Sequence, residues 1–295
     1  MLELEHLAEL WQKYSPKTAV PVREFVIGGR NFPFNSEPQI MGVINLSPDS
    51  WYRESVCLTT ESAVRRASIL AAEGASIVDI GAESSLSQAA RADEALQQSR
   101  LLPVIRELTA SGIIVSAETY EPAVARAALE AGARVLNITG TTDLAEIFRM
   151  AASFDAAVIL CYVQGTNVRE VADFDFGSDT IALMRDYFAR QIEAADKTGL
   201  TKLIIDPGLG FYYRNLGDSV VRVRHQMRTF LETFRLRELG FPICHALPHA
   251  FEYFGEEVRC AEPFFAVLAA LGKTNLFRTH EVARTKGVLD TLRAF

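Results

Sequence analysis

Polar and ionisable side chains recur in this chain directly after short apolar runs. They are Asn45 with Ser47, Asp49 and Ser50; Asp79 and Glu83; Glu118 with Thr119; Asn137 with Thr139; Asp206; His245 with His249; and Arg278 with His280. Amides, carboxylates and imidazoles in this mixture suit a flat heterocycle that carries several N–H donors and ring acceptors. A carboxylate accepts two parallel hydrogen bonds from an amidine-like edge, and an asparagine both donates and accepts. His245 and His249 stand four apart, which serves a metal when both lie on a helix. Pro248 breaks any helix there, so zinc is disfavoured. Asp79 and Glu83 are expected to orient other residues rather than act on substrate. Tyr212 and Tyr213 read as packing residues, with an aromatic platform beside the site as the alternative.

Side chains so far apart in sequence meet only if many strand ends are gathered in one place. Eight apolar runs begin at Gln39, Ser76, Ile113, Arg134, Ala156, Lys202, Phe241 and Leu276, and a longer amphipathic stretch follows each. That alternation is the pattern of parallel strands buried on both faces and covered by helices. Eight such units predict an α/β fold, a TIM (β/α)8 barrel, with the polar ring at the carboxyl ends of its strands. Before the barrel, residues 1–13 read as an extra helix, and REFVIGGRNFPFN reads as a hairpin with a Gly-Gly turn that plugs the amino-terminal end. No linker-like tract divides the chain. One domain is therefore expected, with residues 1–37 as the helix and hairpin and 38–295 as the barrel. The irregular stretch 164–179 after the fifth strand is long enough for a mobile lid.

Composition narrows the function. The 295 residues match one barrel of about 250 residues with additions. A net charge of -7 offers no field for a nucleic-acid backbone, so an anionic substrate needs a local cluster of donors. Cys57, Cys161, Cys244 and Cys260 show no CxxC spacing and read as reduced thiols of a cytoplasmic protein. Acidic residues run through the start of the chain where a signal segment would be apolar, and no apolar run reaches about 18 residues, which disfavours a membrane partner. A homodimer is one admissible assembly.

The run IMGVINLSPDSW resembles the first-loop signature of the dihydropteroate synthases, and VDIGAESS resembles their second-strand signature. The runs ETYEPAVARAALEAGARVLNITG, IIDPGLGF and RTHEV resemble the later strand signatures, in the same order. The resemblance implies a pterin or folate ligand gripped by Asn137 and Asp206, with Glu118 standing where the family has an Asp. It implies a pyrophosphate held by Arg278 and His280, and a magnesium ion shared between pyrophosphate and Asn45. The implied reaction joins a pterin methylene to the amine of p-aminobenzoate, with Asn45, Arg278, His280 and His249 as the catalytic set.

The departures concern positive charge. The family's second-loop Ser-Thr-Arg-Pro is here Ser84, Ser85, Leu86 and Ser87. Its Gly-Phe-Gly-Lys is Gly210, Phe211, Tyr212 and Tyr213, and its Ser-Arg-Lys is Leu247, Pro248 and His249. A histidine at the lysine position is shorter and carries full charge only below about pH 6.5. Family activity is therefore expected to be weak or altered. The alternatives are a pterin- or folate-dependent methyltransferase-like enzyme, which needs no pyrophosphate cradle, and a non-catalytic pterin-binding protein.

Overall fold

A computed structural model describes residues 1–50, 52–86 and 89–295. Helix α1 (Leu4–Tyr14) precedes an antiparallel hairpin, β1 (Phe25–Ile27) and β2 (Arg30–Phe32). Eight strands then alternate with helices: β3 (Gln39–Asn45), α2 (Thr60–Glu73), β4 (Ile77–Gly81), α3 (Glu94–Ala110), β5 (Val115–Thr119), α4 (Pro122–Glu130), β6 (Val135–Ile138) and α5 (Leu144–Ser153). The second half is β7 (Ala157–Cys161), α6 (Thr180–Lys197), β8 (Leu203–Asp206), α7 (Ser219–Glu232), β9 (Cys244–Ala246), α8 (Phe251–Phe254), α9 (Ala261–Leu271), β10 (Leu276–Thr279) and α10 (Val282–Arg293).

The strands pair in parallel in the order β8-β7-β6-β5-β4-β3-β10-β9. A parallel bridge between Ile205 and Ile243, with Ile205 N donating to Pro242 O at 3.0 Å, joins β8 to β9 and completes the eight-membered ring. This is the expected TIM barrel. Local chemistry starts its helices where the loops end: Asp93, Asp179 and Asp218 accept from the backbone N–H of Leu96, Ala182 and Val221.

The hairpin turns at Gly28 and Gly29, whose φ values of 56° and 82° suit a tight two-residue loop. Its Ile27 and Phe32, with Phe34 beyond, pack against Met41, Ile77, Val135, Ile159, Ile204 and Leu276 from the barrel interior. Burial of those side chains holds the hairpin in place across the amino-terminal end of the barrel.

Candidate active site

Alternation along each strand decides which side chains reach the cavity, because successive Cβ atoms point to opposite faces. Met41, Ile77, Val135, Ala157, Ile159, Ile204, Cys244 and Leu276 form an inner apolar layer next to the hairpin. The next inward positions, toward the carboxyl ends, are Val43, Asp79, Asn137, Cys161, Asp206, Ala246 and Arg278. Between them Ile44, Val78, Ile80, Leu136, Val158, Leu160, Ile205 and Phe277 face the helices. His245 follows the same rule and lies on the outward face of β9. Its Nε2 sits 2.6 Å from Thr233 Oγ1, its ring packs 4.7 Å from Phe230, and burial pushes its pKa down to about 3. It is a neutral residue of the helix layer, not a member of the polar ring.

The cavity above the inner layer measures about 260 Å³ and is lined by residues from every barrel strand end except that of β4, whose following loop supplies Glu83 to Ser85. On its floor Arg278 Nε donates to Asp79 Oδ2 at 2.7 Å, and Arg278 Nη2 donates to Glu118. Asn137 Nδ2 donates to the same Asp79 oxygen at 3.0 Å, and Cys161 Sγ donates to Asn137 Oδ1 at 3.5 Å. Asp206 accepts from Gly208 N at 2.7 Å. Two carboxylates thus share one guanidinium, and the third, Asp206, feels only its charge.

That imbalance, in a site removed from water, sets the protonation of the floor. Burial raises the Asp206 carboxyl to about 6 despite the Gly208 hydrogen bond and the Arg278 charge. Burial also raises Glu118, with Arg278 opposing it and Asp79 and Asp206 adding to it. Burial by itself would lower the Arg278 guanidinium, but Glu118 and Asp79 reverse this and raise it, so it stays charged. Cys161 and Cys244 are pushed well up by burial, so neither thiol is a nucleophile at neutral pH.

One wall is aromatic. Tyr52 is buried and stacks on His280 with centroids 4.6 Å apart and on His249 at 5.1 Å. Its hydroxyl donates to Glu281, which Arg259 Nε also engages at 2.6 Å. Behind the histidines Glu262 is wholly buried: one oxygen accepts from Thr279 Oγ1, from His280 N at 2.8 Å and from Glu281 N at 3.1 Å. Its other oxygen lies 2.7 Å from His280 Nδ1 and 3.5 Å from His249 Nδ1. A carboxylate only accepts, so the Nδ1 of His280 carries the proton. Burial outweighs Glu262 and pushes His249 down to about 4. Full charge on His249 just below about pH 6.5 is therefore not expected at this site, because burial of most of the ring disfavours its cation.

The other residues singled out from the sequence are brought together. Asn45, Glu118, Asn137, Asp206, His249, Arg278 and His280 all line the one cavity. Asn45 Nδ2 donates to Ser55 Oγ at 2.6 Å, and its Oδ1 has no partner among the described residues. Among those residues the only cations in the lining are Arg278 and Arg222, and Arg222 is paired with Glu252 at 2.5 Å. Tyr213 does not reach the cavity: its hydroxyl accepts from Gln164 N at 2.9 Å and its ring meets Phe174 at 4.9 Å. Leu86 is buried, and Ser87 lies outside the described residues.

The stretch 164–179 contributes nothing to the lining and does not form the expected lid. Val168 and Phe174 are buried, and Arg169 donates to Ser84 O at 2.7 Å and to Ala89 O at 2.6 Å while lying 3.6 Å from Glu83. These bonds fasten the stretch beside the second loop. Sequence reasoning overlooked Tyr52, Arg222 and Glu262. Glu262 carried a readable signal: it is the lone acid in AEPFFAVLAAL, the otherwise apolar α9, where a buried carboxylate needs partners. Tyr52 and Arg222 carried none, since both reach the cavity through loop and helix placement.

Comparison with known proteins agrees with this geometry. Residues 41–245 match the family of pterin binding enzymes. The chain is 31% identical over 222 residues to the dihydropteroate synthase of Synechocystis sp., covering 74% of this chain and 73% of that one. It is 28% identical to the Streptococcus pyogenes dihydropteroate synthase over 274 residues, 88% and 97% of the two chains. Xanthomonas albilineans dihydropteroate synthase with 4-aminobenzoic acid superposes with a TM-score of 0.77 at 29% identity, over 92% of this chain and 98% of that one. The same enzyme in complex with 7,8-dihydropteroate gives 0.71 at 27%, over 92% and 97%. An eight-stranded barrel, a donor- and acceptor-lined cavity at its strand ends, and these likenesses place the chain in the pterin-binding enzyme family, as a dihydropteroate synthase-like protein.

Proposed function

We propose that the protein binds a pterin on the floor of the cavity and joins its methylene carbon to an amine such as p-aminobenzoate, as a slow or altered transferase of folate biosynthesis. The observation that carries this reading is the convergence of Glu118, Asn137 and Asp206 on one cavity whose two cations are already neutralised by carboxylates. Asp206 and Asn137 would hold the donor edge of the pterin. Asn45, Arg278, His280 and His249 would surround the reacting carbon and its pyrophosphate. Their work is positioning and charge stabilisation, and only a small part of that charge is free to act here.

The residues fit a magnesium ion at Asn45. The Ser55 hydrogen bond fixes the carboxamide and leaves Oδ1 open, and magnesium is commonly held by one or two protein oxygens together with phosphate oxygens and water. Bound there it would neutralise charge on the departing pyrophosphate.

The test is steady-state turnover of pterin pyrophosphate with p-aminobenzoate. The expected kcat is below about 0.1 s−1, under the range common for enzymes. A rate of 1 s−1 or more, on the order of ordinary turnover, would show that the lost cations were unnecessary. A pterin-dependent methyl transfer is the second reading, favoured by the same neutralised cations because it needs no pyrophosphate cradle. Tighter binding of a methylated folate than of pterin pyrophosphate would select it. Three cysteines are buried free thiols, which supports the expected cytoplasmic setting. Among the described residues no helix is long and apolar enough to cross a membrane.

A further inference from the structure

His249 presents an unsatisfied atom. Its Nδ1 is closed off from solvent and has no hydrogen-bond partner, yet it points at Glu262 Oε1 from 3.5 Å. That oxygen also faces His280 Nδ1 at 2.7 Å, and the three ligand atoms lie within 4.8 Å of one another. The second oxygen of Glu262 is saturated by Thr279 and two backbone N–H groups, which locks the carboxylate with Oε1 toward the two rings. Tyr52 stacks on both imidazoles and fixes their planes.

We propose that His249 Nδ1, Glu262 Oε1 and His280 Nδ1 form a binding site for a divalent transition-metal ion of the zinc or cobalt class. Two imidazoles and a carboxylate are a donor set that such ions prefer and that magnesium does not. Tetrahedral bonds of about 2.0–2.1 Å put donor atoms roughly 3.4 Å apart. The His249–Glu262 separation already meets this, and the His280–Glu262 contact opens once the ion replaces the shared proton. His249 and His280 both line the cavity, so the ion would lie directly behind its wall.

The ion would also change the local charge. One carboxylate with two neutral rings carries −1, and a divalent ion makes the cluster +1 at the place where the sequence has Leu247, Pro248 and His249 instead of basic residues. This role as counter-charge to an anionic leaving group rests on the function proposed above. The ion site itself rests only on the three side chains.

The experiment is titration of the chelator-treated full chain with cobalt(II), followed by calorimetry and by visible absorption. A stoichiometric site with the strong bands of four-coordinate cobalt is expected, and both His249→Gln and Glu262→Gln should bind roughly 100-fold more weakly, since even outer-shell losses cost 10–100-fold. Because Glu262 is wholly buried and its variant can fail to fold, His249→Gln at its partly exposed position carries the test by itself. Absent bands, or undiminished affinity in His249→Gln, overturn the site and leave Glu262 as an orienting partner of His280. Inorganic pyrophosphate should then bind roughly tenfold more tightly to the zinc-loaded chain than to the metal-free one. Equal affinity overturns the counter-charge role, while a pterin titration of the metal-free chain separately judges the proposed function.

Discussion

On the floor of the cavity Asp79, Glu118, Asn137, Asp206 and Arg278 come from five strands, each at an inward register position, and each is tied to a neighbour. On the rim Tyr52, Arg222, Leu247, Pro248 and His249 come from loops and from the first turns of α7. The floor is built of acceptors and amides that hold one another in place. The rim is mostly apolar and aromatic, and among the described residues its one cation, Arg222, is paired with Glu252. In the function proposed above the heterocycle is held by the floor alone, so the rim can change while that contact stays.

The largest effect expected from this contrast is on stability. Arg278→Met leaves Asp79 and Glu118 mostly buried without a counter-charge and should cost about 3–5 kcal/mol, read from a urea unfolding midpoint. A loss under about 1 kcal/mol, the scale of exposed pairs, would mean that the floor is no more rigid than the rim.

Next in size, Asp206→Ala should lose about 2–4 kcal/mol of pterin affinity by leaving bound donors unpaired. Arg222→Ala on the rim should change it by less than about 0.5 kcal/mol, as for an exposed pair. Calorimetric titration of both variants that gave similar losses would erase the division of labour.

The pH dependence comes third. Asp206 has a pKa of about 6 in the folded chain against an ordinary 3.8, so the folded state holds this proton longer than the unfolded one. The group therefore favours folding below about pH 4, and that contribution, up to about 3 kcal/mol, is lost as pH rises through 6. For a neutral pterin donating to the ionised carboxylate the sign is opposite. Affinity should fall about tenfold for each pH unit below 6, and Asp206→Asn should flatten the profile. A profile that stays level from pH 7.5 to 5 in the unaltered chain would remove Asp206 from the contact.

The smallest effect belongs to the rim. Pro248→Arg restores one cation beside the cavity and should improve binding of inorganic pyrophosphate by about 1 kcal/mol at low salt, a gain that 0.5 M salt removes. No gain would indicate that the rim lacks geometry as well as charge.

The floor was legible because strand periodicity and ligand chemistry point to the same residues. Asn137 and Asp206 stand at the inward phase of VLNI and LIID, and no other polar residue in those strands competes. His245 was misplaced by the reverse error: a polar type at a strand end was weighed without its phase, and one residue of register moves it to the helix layer. The stretch 164–179 was read as a lid from its length, whereas Val168, Arg169 and Phe174 supply buried anchors that a free loop lacks. For His249 the position in the cavity was readable from the match of Leu247, Pro248 and His249 to a family run, but its protonation was not, because that depends on Glu262 and Tyr52 from distant segments.

The hairpin at the opposite end of the barrel has a kinetic consequence. Ile27 and Phe32 are fully buried in the amino-terminal mouth, so the hairpin seals that end and leaves the strand carboxyl ends as the way in. A pterin held on Asp206, as proposed, would then lie between the seal and the amine that attacks it, and the two could not exchange places. Traffic would run last in, first out: the deeper ligand arrives first, the shallower one second, and an excess of the shallower one alone blocks the way down. Initial-rate patterns for two substrates should accordingly show compulsory order, imposed by a seal that touches neither of them.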